Sequence, residues 1–203
     1  EGLGKLVSVT VSKTADNYYA SILFDDGQEI PEKPEIQPEQ TIGIDLGLKH
    51  FLTTSEGMKV ENPRHLKKQE ARIKRLQHRL SKKKKDSKNR QKARVKLAKE
   101  HIRLANRRSD FLHKLSSQLI RENQAVCIET LSVESMLQKG WKSMHRAISD
   151  ASWSSFTGML EYKADWNGKH VIKIGRFEPS SKMCGACGKI KQDMTLADRQ
   201  WAC

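Results

Sequence analysis

Thr41-Ile42-Gly43-Ile44-Asp45-Leu46-Gly47 is the stretch on which the fold turns. Apolar residues fall on both of its faces, as expected of a strand near the centre of a sheet. Asp45 sits inside it, and a carboxylate is rarely buried without a partner or a metal. His50 to Thr54 reads as a strand returning after Gly47, and Glu56-Gly57 as a hairpin turn into Met58-Lys59-Val60. Ala125-Val126-Cys127-Ile128-Glu129 repeats the theme: a short apolar strand that ends in a carboxylate. Two carboxylates on neighbouring strands of one sheet can share divalent cations, and Mg²⁺ (or Mn²⁺) prefers carboxylate oxygens, water and phosphate. Two such ions about 3.5–4 Å apart suit phosphodiester cleavage. The same pattern is compatible with Asp45 capping the turn before Gly47 and with Glu129 ending its strand in solvent.

Between these strands lies the charge. The 203-residue chain carries a net charge of +14 and 31% charged residues. Arg64 to Arg108 holds 20 Lys and Arg against Glu70, Asp86 and Glu100, whereas the rest holds 18 against 21 acids. All of the excess therefore belongs to one segment, which reads as two helices. Leu66, Ile73, Leu76 and Leu80 mark the first arm; Leu97, Leu104, Phe111, Leu115 and Leu119 mark the second. Ser81 to Asn89 is the expected turn. Lys82, Lys83, Lys84, Lys85, Lys88, Arg90 and Arg94 at and after it are candidates for nucleic-acid backbone contact, with little sequence readout. A solvated charged surface is the blander alternative.

Residues 5–24 read as two strands joined through Ala15-Asp16-Asn17, and Pro31, Pro34 and Pro38 mark a boundary. Residues 1–38 are then the tail of a preceding β-domain. A polar loop containing Lys139-Gly140-Trp141 is expected after Glu129. A helix follows from Ala151 to Asn167, stopped by Gly168, with Phe156, Met159, Leu160 and Tyr162 as core candidates. His170 to Phe177 reads as a strand. His113 is expected to pack. Trp141, Trp153, Trp166 and Trp201 suit packing more than base stacking, Trp141 being the best stacking candidate.

Cys184-Gly185-Ala186-Cys187-Gly188 is a Cys-x-x-Cys knuckle, and Cys203 follows sixteen residues after Cys187. This spacing points to part of an intracellular Zn²⁺ site rather than a disulfide or a redox motif, which lacks its flanking βαβ pattern. Cys127, in mid-strand, reads as a small core residue. No apolar stretch approaches the ~20 residues needed to span a bilayer, so no membrane partner is expected.

These pieces come in the order of the TnpB (OrfB) family of small insertion-sequence transposons. Gly43 to Gly47 resembles its first catalytic strand. Leu80 to Arg90, Ala105 to Leu115, Ile128 to Leu131, Ile148 to Trp153 and Pro179 to Cys184 resemble its further motifs. The resemblance runs from about residue 41 to 203 and implies an α/β fold. That fold is an RNase H-like, RuvC-type mixed sheet with an inserted basic helical hairpin, a preceding β-barrel-type tail and a partial zinc ribbon. Expected boundaries are 1–38 for the tail, 39–178 for the nuclease domain with the hairpin at 64–123, and 179–203 for the ribbon.

The resemblance also implies RNA-guided DNA cleavage, with a guide RNA from the transposon end and target DNA as partners, at a cytoplasmic, nucleoid-associated location. Asp45 and Glu129 match two members of an Asp, Glu, Asp triad, and Cys184, Cys187 and Cys203 match three of four zinc ligands. The chain opens without Met and is expected to be truncated at both ends, with the third Asp beyond Cys203. Asp150, Asp193, Asp198 and Glu178 are poor substitutes for it; Asp150 is expected to cap the helix before Trp153. The 203 residues alone are then expected to bind nucleic acid without cutting it. Thr130 and Glu178 depart from the family pattern, which has Asp and an aromatic residue there. Two alternatives stand beside the nuclease: an inactive RNA-guided repressor and a strand-joining transposase.

Overall fold

A computed structural model describes residues 4–139, 142–175, 178, 182–184, 186–193 and 201–203. Lys5–Thr14 (β1) and Asn17–Asp25 (β2) pair antiparallel around Ala15-Asp16, and Ala15 takes a left-handed φ of 56°. Every residue of both strands is exposed. The segment after them is fastened to the remainder of the chain by hydrogen bonds. Gln37 N donates to Gln124 Oε1 (2.7 Å), and His170 Nε2 lies 2.8 Å from Pro34 O.

Five strands form the main sheet: Thr41–Leu46 (β3), His50–Thr54 (β4), Lys59–Glu61 (β5), Ala125–Glu129 (β6) and His170–Ile174 (β7). Their order is β5-β4-β3-β6-β7, with β3–β6 and β6–β7 parallel and the others antiparallel. The sheet is therefore mixed, and β3 is central as expected. Among the described residues, however, helices cover only one face of it. Ile42, Ile44 and Leu46 are buried, while Asp45 between the last two is exposed. A strand inside a sheet is apolar on both faces only when helices cover both. Here they pack on one side.

Those helices are His65–Ser81 (α1), Lys88–Glu122 (α2), Val133–Lys139 (α3), Lys142–Ala151 (α4) and Trp153–Trp166 (α5). Leu112, Leu115, Leu119 and Ile120 of α2 meet Phe156, Leu160 and Ala164 of α5 over the buried sheet face. Consecutive residues Phe51 and Leu52 are both buried because β4 carries a bulge between His50 and Leu52 against β5. Phe51 then stands edge-on to Phe111 (5.0 Å) and Phe156 (5.1 Å). Gly168 ends α5 with φ +59°, and a Cβ there would lie 2.9 Å from Glu32 O and from Pro31 Cβ, so both conformation and space require glycine.

Three expectations need correction. The polar loop after Glu129 contains two helices: α3, whose Val133 and Leu137 pack against the core, and α4, whose Ile148 and Ala151 join it. Tyr162 and His113 are not core residues: Tyr162 is half-buried and His113 exposed. Asp150 does not cap the helix before Trp153; it lies in the last turn of α4 and its carboxylate accepts from Leu66 N at the start of α1. Lys139 ends α3, whereas Gly140-Trp141 lies outside the described residues, as do Phe177, Pro179 and Asp198. Among the described residues no helix is long and apolar enough to cross a membrane.

The aromatic cluster makes a quantitative expectation. Phe156 is 0% exposed, and Phe156→Ala should lower stability by about 3–5 kcal/mol. Trp166→Ala, at a residue 68% exposed, should stay within about 0.5 kcal/mol. Urea unfolding followed by circular dichroism measures both.

Candidate metal and nucleic-acid sites

β3 and β6 run parallel with Ile42 opposite Val126 and Ile44 opposite Ile128. One step further along that register stand Asp45 and Glu129. They share the sheet face opposite the buried isoleucines, and neighbouring strands lie about 4.8 Å apart. Among the described residues neither carboxylate has a cationic partner. Asp45 is reachable by solvent, yet the protein around it is close enough that lost hydration raises its carboxyl above the ordinary 3.8. Glu129 is half-buried and lines a cavity of about 230 Å³ with Thr130, Trp153, Ser154, Thr157 and Lys173. This cavity lies at the carboxyl ends of β3 and β6. In chemical terms the pair offers unpaired oxygen donors, which fits a hard divalent cation.

Cys184, Cys187 and Cys203 bring their sulfurs within 4.8 Å of one another, with Cys187 Sγ 3.3 Å from Cys203 Sγ. The knuckle forms because Gly188 adopts φ +71° and its N–H donates to Cys184 O (2.9 Å). Cys184 N donates in turn to Lys189 O (2.9 Å), and Met183 bridges Ile190. Backbone N–H groups of Cys187 and Ala186 push the Cys184 thiol down to about 7, whereas Cys203, hydrogen-bonded to Cys187 and Cys184, is pushed up to about 11. Thiol donors at this separation fit a soft tetrahedral ion, whose ligand sulfurs stand about 2.3 Å from it. Cys127 lies on β6, away from this cluster in the fold, half-buried.

The basic arm is α1 paired with the first half of α2. Ile73 and Leu104 are buried where the two helices pack. Glu100 is 7% exposed and held by Arg72 (2.8 Å) and Arg103 (2.5 Å), so an internal acid joins the helices. Ser87 caps α2, accepting from Arg90 N (3.1 Å). Lys82, Lys83, Lys84, Lys85, Lys88 and Arg94 are exposed. Arg90 is different: its Nη1 donates to Leu80 O (3.2 Å) and Lys83 O (3.1 Å), satisfying carbonyls at the end of α1.

Of the tryptophans, Trp153 is in the core with Nε1 unpartnered, Trp166 is exposed and Trp201 half-buried. Trp141 lies outside the described residues. Glu178 is exposed, its N–H donating to Gly175 O (3.1 Å). Sequence reasoning missed Lys163, whose ammonium donates to His113 O, Ser116 Oγ and Ser117 Oγ, each at 2.8 Å, between α5 and α2. Two adjacent serines in an otherwise leucine-lined stretch were the available signal.

An α/β chain with this mixed sheet shares its fold with part of Cas12f1. A Cas12f1 chain in a cryo-EM complex with sgRNA and target DNA superposes with a TM-score of 0.56 at 18% identity, covering 88% of this chain and 36% of that one. The chain belongs to the TnpB (OrfB) family: the OrfB_IS605 profile, described as "Probable transposase", matches residues 21–140. A Cas12f1-like TNB domain profile matches residues 153–203. A Streptomyces pristinaespiralis protein named as a candidate RNA-guided DNA endonuclease is 43% identical over 197 residues, 97% of this chain and 48% of that protein. InsQ of Escherichia coli (strain K12), named likewise, is 28% identical over 213 residues, 98% of this chain and 52% of that protein. The chain thus spans about half the length of the curated relatives it matches.

The raised carboxyl of Asp45 has a consequence for stability. A folded-state value above the ordinary one means that ionising Asp45 weakens the fold. The penalty is absent below 3.8, grows as pH rises through that value and is complete above the raised one. In chelator, Asp45→Asn should therefore be more stable than the parent at neutral pH and match it below 3.8. Thermal unfolding across pH checks this; a gain that persists in acid would count against it.

Proposed function

We propose that this chain carries the greater part of a RuvC-like nuclease domain of an RNA-guided, divalent-metal-dependent DNA endonuclease. The observation that carries the reading is the unpaired Asp45–Glu129 pair on one face of adjacent parallel strands, in a chain that also bears an arm dense in cations. Asp45 and Glu129 would hold Mg²⁺ or Mn²⁺. When bound, such ions activate water and stabilise the leaving oxygen of a phosphodiester. The residues' own task is to keep two oxygen donors fixed on rigid strands, facing solvent and the incoming backbone.

The arm supplies the second part. Lys82 to Lys85, Lys88 and Arg94 project from a stiff helical pair and contact phosphates without reading bases. Arg90 supports them by closing the turn. Cys184, Cys187 and Cys203 hold Zn²⁺ in a small ribbon next to the domain, a structural role for which thiolates suit better than carboxylates. The guide RNA, from the transposon end, and target DNA are the partners. The domain reading is 1–38 for a β-tail, 39–178 for the nuclease domain with its hairpin at 64–123, and 179–203 for the ribbon. Retention of both carboxylates favours cleavage over a repressor that only binds.

The decisive experiment compares the complete gene product, loaded with its guide RNA, with its Asp45→Ala variant. Cleavage of matched DNA should need a divalent ion and fall below detection in the variant, while guided binding stays within about threefold. Uncatalysed binding by the parent, with no cut or joined product, would support the repressor instead; joined ends would support the transposase.

Salt dependence tests the arm. Replacing Lys82, Lys83, Lys84 and Lys85 with Gln should weaken nucleic-acid binding and flatten the plot of log affinity against log salt by up to about 0.9 per lost phosphate contact on duplex. An unchanged slope, measured by fluorescence anisotropy, would remove the four lysines from the interface.

A further inference from the structure

Two helix ends in this chain break local rules, and each break resolves the other. α1 begins after Arg64, which has a left-handed φ of 48° and gives no side-chain cap. A helix start nevertheless leaves amide N–H groups in need of acceptors. α4 ends with Asp150 in its last turn, where the helix dipole disfavours an acid. Asp150 Oδ2 accepts from Leu66 N (2.9 Å), and Oδ1 accepts from Arg108 Nη2 (2.9 Å). The Asp150 side chain is 9% exposed. A single carboxylate on α4 therefore caps α1 and neutralises a cation of α2. Arg146 Nη1, one turn earlier on α4, pairs with Glu70 Oε1 of α1 (3.1 Å).

The location of this joint gives it meaning. Residues 130–150 connect Glu129 to Asp150. Just beyond, the chain turns through Ser152 (φ 55°) and enters α5 at Trp153, whose ring lines the cavity that holds Glu129. The arm does not need Asp150 to stay attached, because α2 runs unbroken from the arm into the core. Nor does α1 need it to stay paired, because Ile73, Leu104 and Glu100 already join α1 to α2. What Asp150 adds, beside the more exposed Arg146–Glu70 pair, is a buried link between the arm and the segment that follows Glu129 in the chain.

We propose that Asp150 is a positioning residue that fixes the basic arm against the Glu129–Trp153 corner, so that a DNA strand held by the arm meets Asp45 and Glu129 in one register. The inference rests on the nuclease reading above. Asp150 touches neither substrate nor metal in this role; it acts through Leu66, Arg108 and the α4–α5 corner.

The test uses the complete gene product with its guide RNA, in four forms: parent, Asp150→Ala, Asp150→Asn, and Leu104→Ala as a variant that weakens the arm's packing without touching the joint. Asp150→Ala should slow single-turnover cleavage about tenfold or more, since small misplacements cost large factors in rate, and should spread the cut over neighbouring phosphates. Guided binding should stay within about twofold. Asp150→Asn keeps an oxygen for Leu66 N and should restore most of the rate and a single cut position. Leu104→Ala should lower the melting temperature but leave the cut position unchanged. If Asp150→Ala loses activity only in step with its melting temperature, as Leu104→Ala does, with cut positions intact, the proposal is overturned.

Amide hydrogen exchange on the same samples separates this proposal from the nuclease reading. Should the parent fail to cut, the nuclease reading falls, and exchange still decides the joint. Faster exchange in Asp150→Ala that reaches residues 130–139 upholds the link; faster exchange confined to the first turn of α1 overturns it.

Discussion

An ionised carboxylate without a cationic neighbour has to keep water or a metal within reach. Among the described residues the helices cover one sheet face, which leaves Asp45 exposed on the other and Glu129 half-buried at the mouth of a cavity. Had both faces been buried, the two acids would have needed counter-charges, protons or a metal. The one-sided core follows from chain order. α2 leads into β6 and α5 leads into β7, and both crossovers place their helices over Ile42, Ile44, Val126 and Ile128. The bulge at Phe51 strengthens that side by turning two consecutive large residues into it.

A second constraint governs the arm. Twenty cations within forty-five residues repel one another, and a helical pair of that composition holds together only if some charge is met internally. Glu100 between Arg72 and Arg103 does this inside the arm, and Asp150 does it at the base. Both carboxylates are buried while Arg72 and Arg103 stay largely exposed, so it is the acids that depend on their partners to remain charged inside the fold. The cations left exposed at the turn then face outward by default.

Much of the fold was legible in the sequence. The strands containing Asp45 and Glu129 announced themselves by apolar runs bounded by turn residues, and the arm by leucines and Ile73 at helical spacing. Other features were hidden for identifiable reasons. Which face of β3 lies open depends on where remote helices pack, which no local pattern records. α3 is too short, at seven residues, to show a period, whereas α4 does carry one, Met144, Ala147, Ile148 and Ala151, that its polar neighbours obscure. Asp150 looked like a cap for its own neighbour, since its real partner, Leu66, is 84 residues away. Arg90 was grouped with the phosphate-facing cations because composition cannot distinguish a charge spent on a turn from one left free. The adjacency of Asp45 and Glu129 could be guessed from their strands, but only the parallel register of β3 and β6 aligns them.

α2 is 35 residues long and uninterrupted, so it is a lever of about 52 Å. Its fulcrum is the leucine-lined half on the sheet, and Lys88 at its other end lies about 36 Å beyond Leu112, where that half begins. A rotation of only about 10° at the sheet would sweep that end through roughly 6 Å, with the rise of 1.5 Å per residue setting the scale. Geometry of this kind works in both directions. A small change in packing beneath Phe111 and Leu115 is magnified at the lysines, and a load placed on the lysines is returned, reduced in amplitude and increased in force, to the helix that roofs the sheet.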